Sequence, residues 1–235
     1  MKINNTITLW FVAMLLSLNI NNVFCQSGII TYKAKPINLI NKNSEFVRGI
    51  NKEIELMSFV LKYNINNSFF TKEGTIPINK RNSGTASILI KSNVDWFQEA
   101  KNKKSLFNKR VKNNMYQVMH NFKMEGWKIT GQTKQIDGYN CFKALRKEIK
   151  ANSKAFVLVT AWFTPDIPLP YGPIGSGGLP GLILQLERSN RVVYTVDKIL
   201  LNPKKINVKT PKQGMEVSTL AFNQIMRSAR KVTVD

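Results

Sequence analysis

The sequence predicts a mainly β protein: an antiparallel meander curled into a half-barrel or barrel, with a C-terminal α-helix packed on it. Three observations predict this fold class. Short runs of alternating apolar and polar residues recur along the chain, which is typical of half-buried strands. Short polar links separate these runs, so successive strands are expected to pair antiparallel, and a large sheet of this kind curls because strands twist. A clear helical period occurs only near the end of the chain.

The first 25 residues have the composition of a cleavable secretion signal. Lys2 provides the positive start, and the apolar run 9–18 is shorter than the ~20 residues that span a bilayer. We expect cleavage before Gln26, which leaves 26–235 as one domain without a transmembrane anchor. The predicted location is therefore extracytoplasmic, either in the periplasm or outside the cell.

The N-terminal part of the mature chain predicts strand, helix and strand. Residues 28–35 alternate apolar and polar side chains, as a first strand would. Within 44–64, a short helix is expected to give way to a strand from about Ser58. Asparagine tolerates left-handed backbone angles, so 66–67 predicts a turn into a further strand over 68–72.

The middle of the chain predicts loops and hairpins. Residues 74–84 contain Gly and Pro, and 101–113 are strongly basic, so both are expected to be loops around a short strand at 86–90. Three strand pairs should follow: 115–122 with 127–135, 139–147 with 154–164, and 182–187 with 191–200. Residues 155–159 are apolar at every position, which predicts a central strand covered on both faces at its start.

The C-terminal helix is expected to start at Thr210, because Pro211 suits the first helical position. Arginines near its end would complement the helix dipole. Apolar residues recur at helical spacing and should face the sheet: Leu220, Phe222, Ile225, Met226 and Ala229.

A segment rich in proline and glycine, 165–181, connects two apolar strands. Proline removes ladder donors and glycine raises the entropic cost of order, so this segment is neither a helix nor a regular central strand. One interpretation is a rigid connection across one end of the barrel. The alternative is a binding loop, in which backbone amides of 175–178 form an anion nest or the whole loop covers a cavity. The glycine spacing does not match a nucleotide-binding loop.

The end of this segment carries a distinctive motif: Gly178, Leu179, Pro180, Gly181, Leu182, Ile183 and Leu184. Together with 138–144, 161–168 and Gly172-Pro173, it resembles the signature of the GLPGLI family of Bacteroidetes extracytoplasmic proteins. The resemblance covers about a fifth of the chain. It implies a family of unknown function, and it carries over no catalytic residue and no cofactor. Within the motif, the leucines are expected to anchor the strand entry and the glycines to shape its backbone.

Few side chains could carry chemistry. His120 is the only histidine, which excludes a multi-histidine metal site, and we expect it to be a surface or packing residue. If Cys25 leaves with the signal, Cys141 cannot form an intramolecular disulfide; it is either a buried small side chain or a free reactive thiol. Asp166 is either a turn residue or an acid in a perturbed environment. We predict no catalytic residue, no cofactor and no metal.

The candidate ligand-binding residues lie in and beside the proline- and glycine-rich segment. Trp162 could line the core or the mouth of a cavity, since it and Phe163 should point to opposite faces of the sheet. The candidate site is Trp162, Asp166, Ser176, Gly177 and Gly178.

The formal net charge of +21 favours anionic partners, although basic residues spread along the chain also fit compositional drift. The densest basic stretch, 101–112, interleaves only Phe107, so a specific nucleic-acid interface is not expected. The favoured hypothesis is a non-enzymatic envelope binding or carrier protein with an apolar ligand. The alternatives are a basic protein that binds an anionic envelope component or, less favoured, a hydrolase or thiol protein using Cys141, His120 or Asp166.

Overall fold

A computed structural model describes residues 26–37, 44–149, 156–189 and 191–231. The predicted signal, 1–25, and the expected link at 150–153 lie outside these residues. The strands are β1 Ser27–Pro36, β2 Ser58–Asn64, β3 Asn67–Lys72, β4 Trp96–Glu99, β5 Lys104–Val111, β6 Asn114–Met119, β7 Lys128–Ile136, β8 Tyr139–Ile149, β9 Phe156–Thr164, β10 Leu182–Arg188, β11 Val192–Leu201 and β12 Met215–Ser218. The helices are α1 Glu45–Leu56, α2 Lys80–Leu89 and α3 Thr219–Lys231, with 3-10 turns at Asn121–Met124 and Pro173–Gly175.

The described strands form a single 12-stranded sheet in the order β12-β6-β5-β4-β3-β2-β1-β11-β10-β9-β8-β7. The sheet is curled but not closed, because the edge strands β12 and β7 do not pair with each other within the described chain. Every neighbouring pair is antiparallel except β12 and β6, which are parallel. The predicted fold class is therefore confirmed, in its half-barrel form. No helix of the described residues is long and apolar enough to cross a membrane.

The hydrophobic core lies on one face of the sheet, which we call the inner face. On β1, the alternate residues Ile30, Tyr32 and Ala34 are buried there, as the period of two in a strand requires. Helix α1 buries Ile50 and Ile54 and lies against β1 and α2. The predicted succession of helix and strand in 44–64 is confirmed, with the strand beginning at Ser58.

Two predicted elements in the basic middle of the chain are wrong. The expected strand at 86–90 is the end of α2, which begins after Asn79 and also replaces the last part, 80–84, of the expected loop 74–84. The Asn79 side chain accepts a hydrogen bond from the Asn82 amide at 3.1 Å. The expected loop at 101–113 is largely β5, which pairs with β4 and β6. Tertiary pairing overrides local polarity there, since a strand with one solvent-exposed side can hold many basic residues.

The expected pair 115–122 with 127–135 is also wrong. β6 pairs with β5 and β12, whereas β7 pairs with β8 at the other end of the sheet. The 3-10 turn Asn121–Met124 lies between them in sequence and redirects the chain. The pairs β8 with β9 and β10 with β11 are confirmed.

The start of β9 is not covered on both faces as predicted. Phe156 is 55% exposed and Leu158 46% exposed, whereas Val157 and Val159 are buried on the inner face. The outer face of β9 remains open to solvent there, so an apolar run alone did not indicate a strand between two layers.

The C-terminal helix packs on the sheet as predicted but begins at Thr219 rather than Thr210. The residues before it form β12, which adds to the edge of β6. Phe222 packs against Tyr116 and Phe107, with ring centroids 6.0 and 6.2 Å away, whereas Leu220 is 56% exposed.

Candidate functional site

The segment 165–181, which we call the inner loop, lies on the inner face of the sheet. Ser105 on β5 donates a hydrogen bond to the Gly175 carbonyl at 2.8 Å, and the Gly172 amide donates to Gln98 Oε1 on β4 at 3.4 Å. Tyr171 and Ile174 are completely buried within the core. The loop therefore fills the inner face opposite β3, β4 and β5.

The motif at 178–184 forms the end of the inner loop and the start of β10. Gly178 has a φ of +82°, and a Cβ atom added there would collide with the Met124 carbonyl. Leu179, Leu182, Ile183 and Leu184 are buried. This part of the chain anchors the loop, and the glycine allows close contact with the 3-10 turn at Asn121–Met124.

Charged side chains meet where the inner loop reaches the ends of β8 and β10. Arg146 and Glu148 are two residues apart on β8, so both point to the inner face. Arg146 Nη2 contacts Glu148 Oε1 at 2.7 Å, and Arg188 Nη2 contacts Glu148 Oε2 at 3.1 Å. Arg146 and Arg188 both lie in register with Val159 of the strand between them. One carboxylate thus bridges two arginines across three strands.

Lys123 joins this group from the 3-10 turn. Its Nζ donates to the Ile174 carbonyl at 2.6 Å and lies 4.1 Å from the centre of the Trp96 ring. Arg146 donates to the Lys123 carbonyl, and its Nη2 also donates to Ser176 Oγ at 3.4 Å. Backbone and side chains of the inner loop therefore take part in the charged group.

Arg146 is also held by an aromatic ring. Its guanidinium lies 4.1 Å from the centre of the Trp127 ring, and Trp127 Nε1 donates to the Gly177 carbonyl at 2.8 Å. Such stacking is favourable for a desolvated guanidinium. The loop, the ring and the arginine hold one another in place.

We call Lys91, Lys123, Arg146 and Arg188, together with Glu148, the inner cation cluster. Burial raises the pKa of Glu148, but Lys123, Arg188 and Arg146 outweigh burial and lower it to about 2. Burial lowers the pKa of Lys123 to about 7, against the opposing effect of Glu148. Partial desolvation and the charge of Arg188 lower the pKa of Lys91, although the residue as a whole is exposed. Arg146 and Arg188 therefore share a single carboxylate, and the Lys123 carbonyl accepts a hydrogen bond from the same Arg146.

Two donors of the cluster are unused. The Nε atoms of Arg146 and Arg188 are buried and have no hydrogen-bond partner among the described residues. Arg146 and Lys123 are each 4% exposed, whereas the Arg188 side chain is 20% exposed and Lys91 is exposed. The cluster therefore reaches solvent at Arg188 and Lys91.

The structure separates the residues of the sequence-derived candidate site. Ser176 accepts from Arg146 and the Gly177 amide donates to the Lys123 carbonyl, so both contact the inner cation cluster, whereas Gly178 lies against Met124. Trp162 is on the opposite, outer face, where Lys134 Nζ lies 4.3 Å from its ring centre. Phe163 points inward, as the alternation predicts.

The other candidate residues also lie apart from the cluster centre. Asp166 is exposed, and its amide donates to Thr164 Oγ1 at 3.3 Å. Cys141 is buried, its thiol donates to the Tyr139 carbonyl at 3.6 Å, and burial raises its pKa to about 11. The buried alternative for Cys141 is thus the one the structure shows.

His120 packs beside the cluster among the rings of Trp96, Phe107 and Phe122. Burial, followed by the charge of Lys123, lowers its pKa to about 3, so the imidazole is neutral at pH 7. No hydrogen bond or ion pair within the described ranges joins His120, Cys141 and Asp166. The same residues contain no group of three His, Cys, Asp or Glu able to hold a metal ion.

Sequence reasoning missed Lys123, Arg146, Glu148 and Arg188. A signal was present, because Arg146 and Glu148 share the strand parity of the buried Ala144, and Arg188 shares that of Leu186. Charged residues that continue an inward apolar row predict a buried ionic group.

Comparisons with known proteins agree with the fold and leave the activity open. A family model described as a protein of unknown function (Porph_ging) matches 146–185, which contains Arg146, Glu148 and the whole inner loop. This supports a relationship to proteins of unknown function, and assignment to the GLPGLI family remains a prediction. No curated protein matches the chain.

Two solved structures of PNGF-II resemble the chain. The structure in space group P21 is 20% identical, with a TM-score of 0.55 over 87% of this chain and 34% of that one. The structure in space group C2 is 19% identical, with a TM-score of 0.54 over 87% and 33%. The chain therefore spans about a third of the length of the structures it matches, and at this identity the likeness concerns the fold alone.

Proposed function

We propose that the protein is a non-enzymatic, extracytoplasmic binding protein that recognises an anionic group of a cell-envelope component at the inner cation cluster. The observation that carries the proposal is a surplus of positive charge: Arg146 and Arg188 share the carboxylate of Glu148, and Lys123 reaches the same inner loop through the Ile174 carbonyl. Buried charges are costly unless they are paired, so a surplus of cations favours an anionic ligand.

An anionic ligand fits the inner face better than an apolar one. A carrier of an apolar ligand needs free apolar surface, but the inner loop covers the strands that would provide it. An apolar ligand bound there would have to displace buried residues such as Tyr171 and Ile174. The cation cluster is reached from solvent without moving the loop, through Arg188 and Lys91.

The net charge of the whole protein also favours an anionic ligand. The net charge of +21 attracts anions over long range, and Arg188 and Lys91 would then hold the anionic group at short range. We therefore expect the association rate to fall as salt screens the net charge of the protein, whereas recognition of the anionic group depends on Arg188 and Lys91.

Sulfate binding tests the proposal, because sulfate is a dianion that does not titrate near neutral pH. Equilibrium dialysis with radiolabelled sulfate at fixed ionic strength should show binding to the wild-type protein and loss of binding in Arg188→Gln. The matched control is Arg110→Gln, which removes the same charge from an exposed position on β5.

Arg188→Gln also removes an ion pair, so Lys91→Asn provides a second variant. Lys91 is exposed and has a φ of +65°, which asparagine tolerates. This variant should stay folded by circular dichroism and bind sulfate more weakly than Arg110→Gln does. Equal sulfate binding by all three variants, or none by the wild-type protein, would contradict the proposal.

A further inference from the structure

The charges and donors of the cluster indicate which anionic group it takes, an inference that rests on the proposed function. We propose that the inner cation cluster selects a dianionic phosphate monoester group over singly charged anions, with Arg188 and Lys91 as the contacting residues. Phosphate monoesters carry close to two charges at neutral pH. Carboxylates, phosphodiesters and sulfate esters carry one.

The first argument is charge balance. Glu148 is the one carboxylate in the cluster, and both of its oxygens are already engaged, Oε1 by Arg146 and Oε2 by Arg188. A singly charged ligand would leave more of the remaining positive charge uncompensated than a doubly charged one. A second negative charge on the ligand therefore adds more stabilisation here than it would in water.

The second argument concerns donors. Arg188 uses Nη2 for Glu148, and its Nε has no hydrogen-bond partner among the residues that the structure describes. An arginine presents its donors in one plane and binds phosphate through two parallel hydrogen bonds. The Lys91 carbonyl accepts a hydrogen bond from Trp96 Nε1 at 3.2 Å, and Lys123 Nζ lies 4.1 Å from the same ring, so Lys91 reaches the group from a separate segment of the chain and can add a point charge. A phosphate monoester has enough acceptor oxygens to take hydrogen bonds from both residues.

The third argument concerns the fixed position of Arg188. Glu148 Oε2 holds one side of the guanidinium at 3.1 Å, and Glu148 itself is fixed by Arg146, which is stacked on Trp127. This chain of contacts orients Arg188 before a ligand arrives. A preorganised donor binds more tightly because less side-chain freedom is lost on binding.

A pair of small ligands isolates the effect of charge. Methyl phosphate is a monoester with two charges, and dimethyl phosphate is a diester of similar shape with one. Calorimetric titration at pH 7.5 and constant ionic strength should show methyl phosphate binding at least about tenfold more tightly. Inorganic phosphate forms a third arm: if it binds and methyl phosphate does not, the source is free phosphate, and if both bind, esterified phosphate is accepted.

Variants connect this preference to the cluster. Arg188→Gln and Lys91→Asn should each weaken methyl phosphate binding by about tenfold or more, whereas Arg110→Gln should stay within about twofold of the wild-type protein.

The outcomes separate this inference from the proposed function. Suppose that methyl phosphate and dimethyl phosphate bind with equal affinity and that Lys91→Asn binds neither. This result would overturn the selection for two charges, but the proposed anion-binding function would stand. Absence of binding by any phosphate or sulfate would remove both proposals. A preference for methyl phosphate that is unchanged in Lys91→Asn and Arg188→Gln would place the site elsewhere and also overturn the inference.

Discussion

Replacing Glu148 by glutamine should destabilise the protein strongly, because it leaves buried cations without their shared carboxylate. Glutamine keeps the size of the side chain and one acceptor oxygen, so the change isolates charge. Glu148 is 5% exposed and contacts Arg146 at 2.7 Å and Arg188 at 3.1 Å. Removing one partner of a buried ion pair typically costs about 3–5 kcal/mol.

The pKa of Glu148 gives an independent magnitude. The carboxyl titrates at about 4.5 in the unfolded chain and at about 2 in the folded protein. A lowered carboxyl pKa means that the stabilisation is complete above pH 4.5 and disappears as the pH falls toward 2. A difference of this size corresponds to roughly 3 kcal/mol at pH 7, which agrees with the first figure.

Urea unfolding followed by tryptophan fluorescence at pH 7 provides the assay. Glu148→Gln should lose about 3 kcal/mol of unfolding free energy. Glu216→Gln is the matched control, because its ion pair with Lys104, at 3.5 Å, lies at the surface and should contribute at most about 1 kcal/mol. Equal losses in the two variants would refute the assignment of Glu148 as the structural counter-ion of the cluster.

The pH dependence adds a second readout. Between pH 4.5 and pH 2 the wild-type protein should lose more stability than Glu148→Gln does, because only the wild type has the carboxylate to protonate. Both proteins should share a separate loss as the pH falls from 6.5 toward 3, since buried His120 stays neutral while the unfolded chain takes up a proton. Identical acid profiles below pH 4.5 would contradict the assignment.

Three further predictions follow from the same structure. Gly178→Ala should lose about 1–3 kcal/mol more unfolding free energy, measured by urea unfolding, than Gly138→Ala does. Both glycines have positive φ, but only a Cβ atom at position 178 would collide with Met124, so equal losses would contradict this prediction. Sulfate binding near pH 7.5 should be accompanied by proton uptake, because a bound anion raises the low pKa of Lys123, and sulfate affinity should therefore fall as the pH rises. Calorimetric titrations in buffers of different ionisation enthalpy would measure the proton uptake, which Lys123→Met should abolish. Cys141 should react with a thiol reagent only as fast as the protein opens, and rapid labelling in the native state would show it to be accessible.

The sequence was informative wherever local pattern and tertiary structure agree. Alternation in β1, helical spacing in α1 and the paired runs of β8 to β11 all lie on elements whose inner face carries apolar side chains. β5 was missed because its position between β4 and β6, rather than its composition, makes it a strand. Helix α2 was missed because Ile88 and Ile90 alternate as a short strand would.

The cation cluster could not be assembled from sequence, since its members come from separate elements. Arg146 and Glu148 lie on β8, Arg188 on β10, and Lys123 on the 3-10 turn. Strand parity places the first three on the inner face, but it does not show that the inner loop brings Ile174 and Ser176 to them. Likewise, the separation of Trp162 from Ser176 depends on which face the loop crosses.

The motif and the cluster form one structural unit. Gly178 lies against the Met124 carbonyl, and the preceding Gly177 amide donates to the Lys123 carbonyl at 3.0 Å. The same Lys123 carbonyl accepts from Arg146, so the close approach that glycine allows fixes the turn that carries the cluster's lysine. Gly178→Ala should therefore weaken sulfate binding even under conditions in which the variant is folded, because it moves Lys123 relative to Arg146.

The exposed turn residue Gly138 provides the comparison, since its substitution should leave sulfate binding unchanged. The motif glycine would then contribute to anion recognition without contacting the ligand, by setting the distance between the inner loop and the turn. Normal sulfate affinity in folded Gly178→Ala would show instead that the motif serves the core alone and that Arg188 and Lys91 suffice for binding.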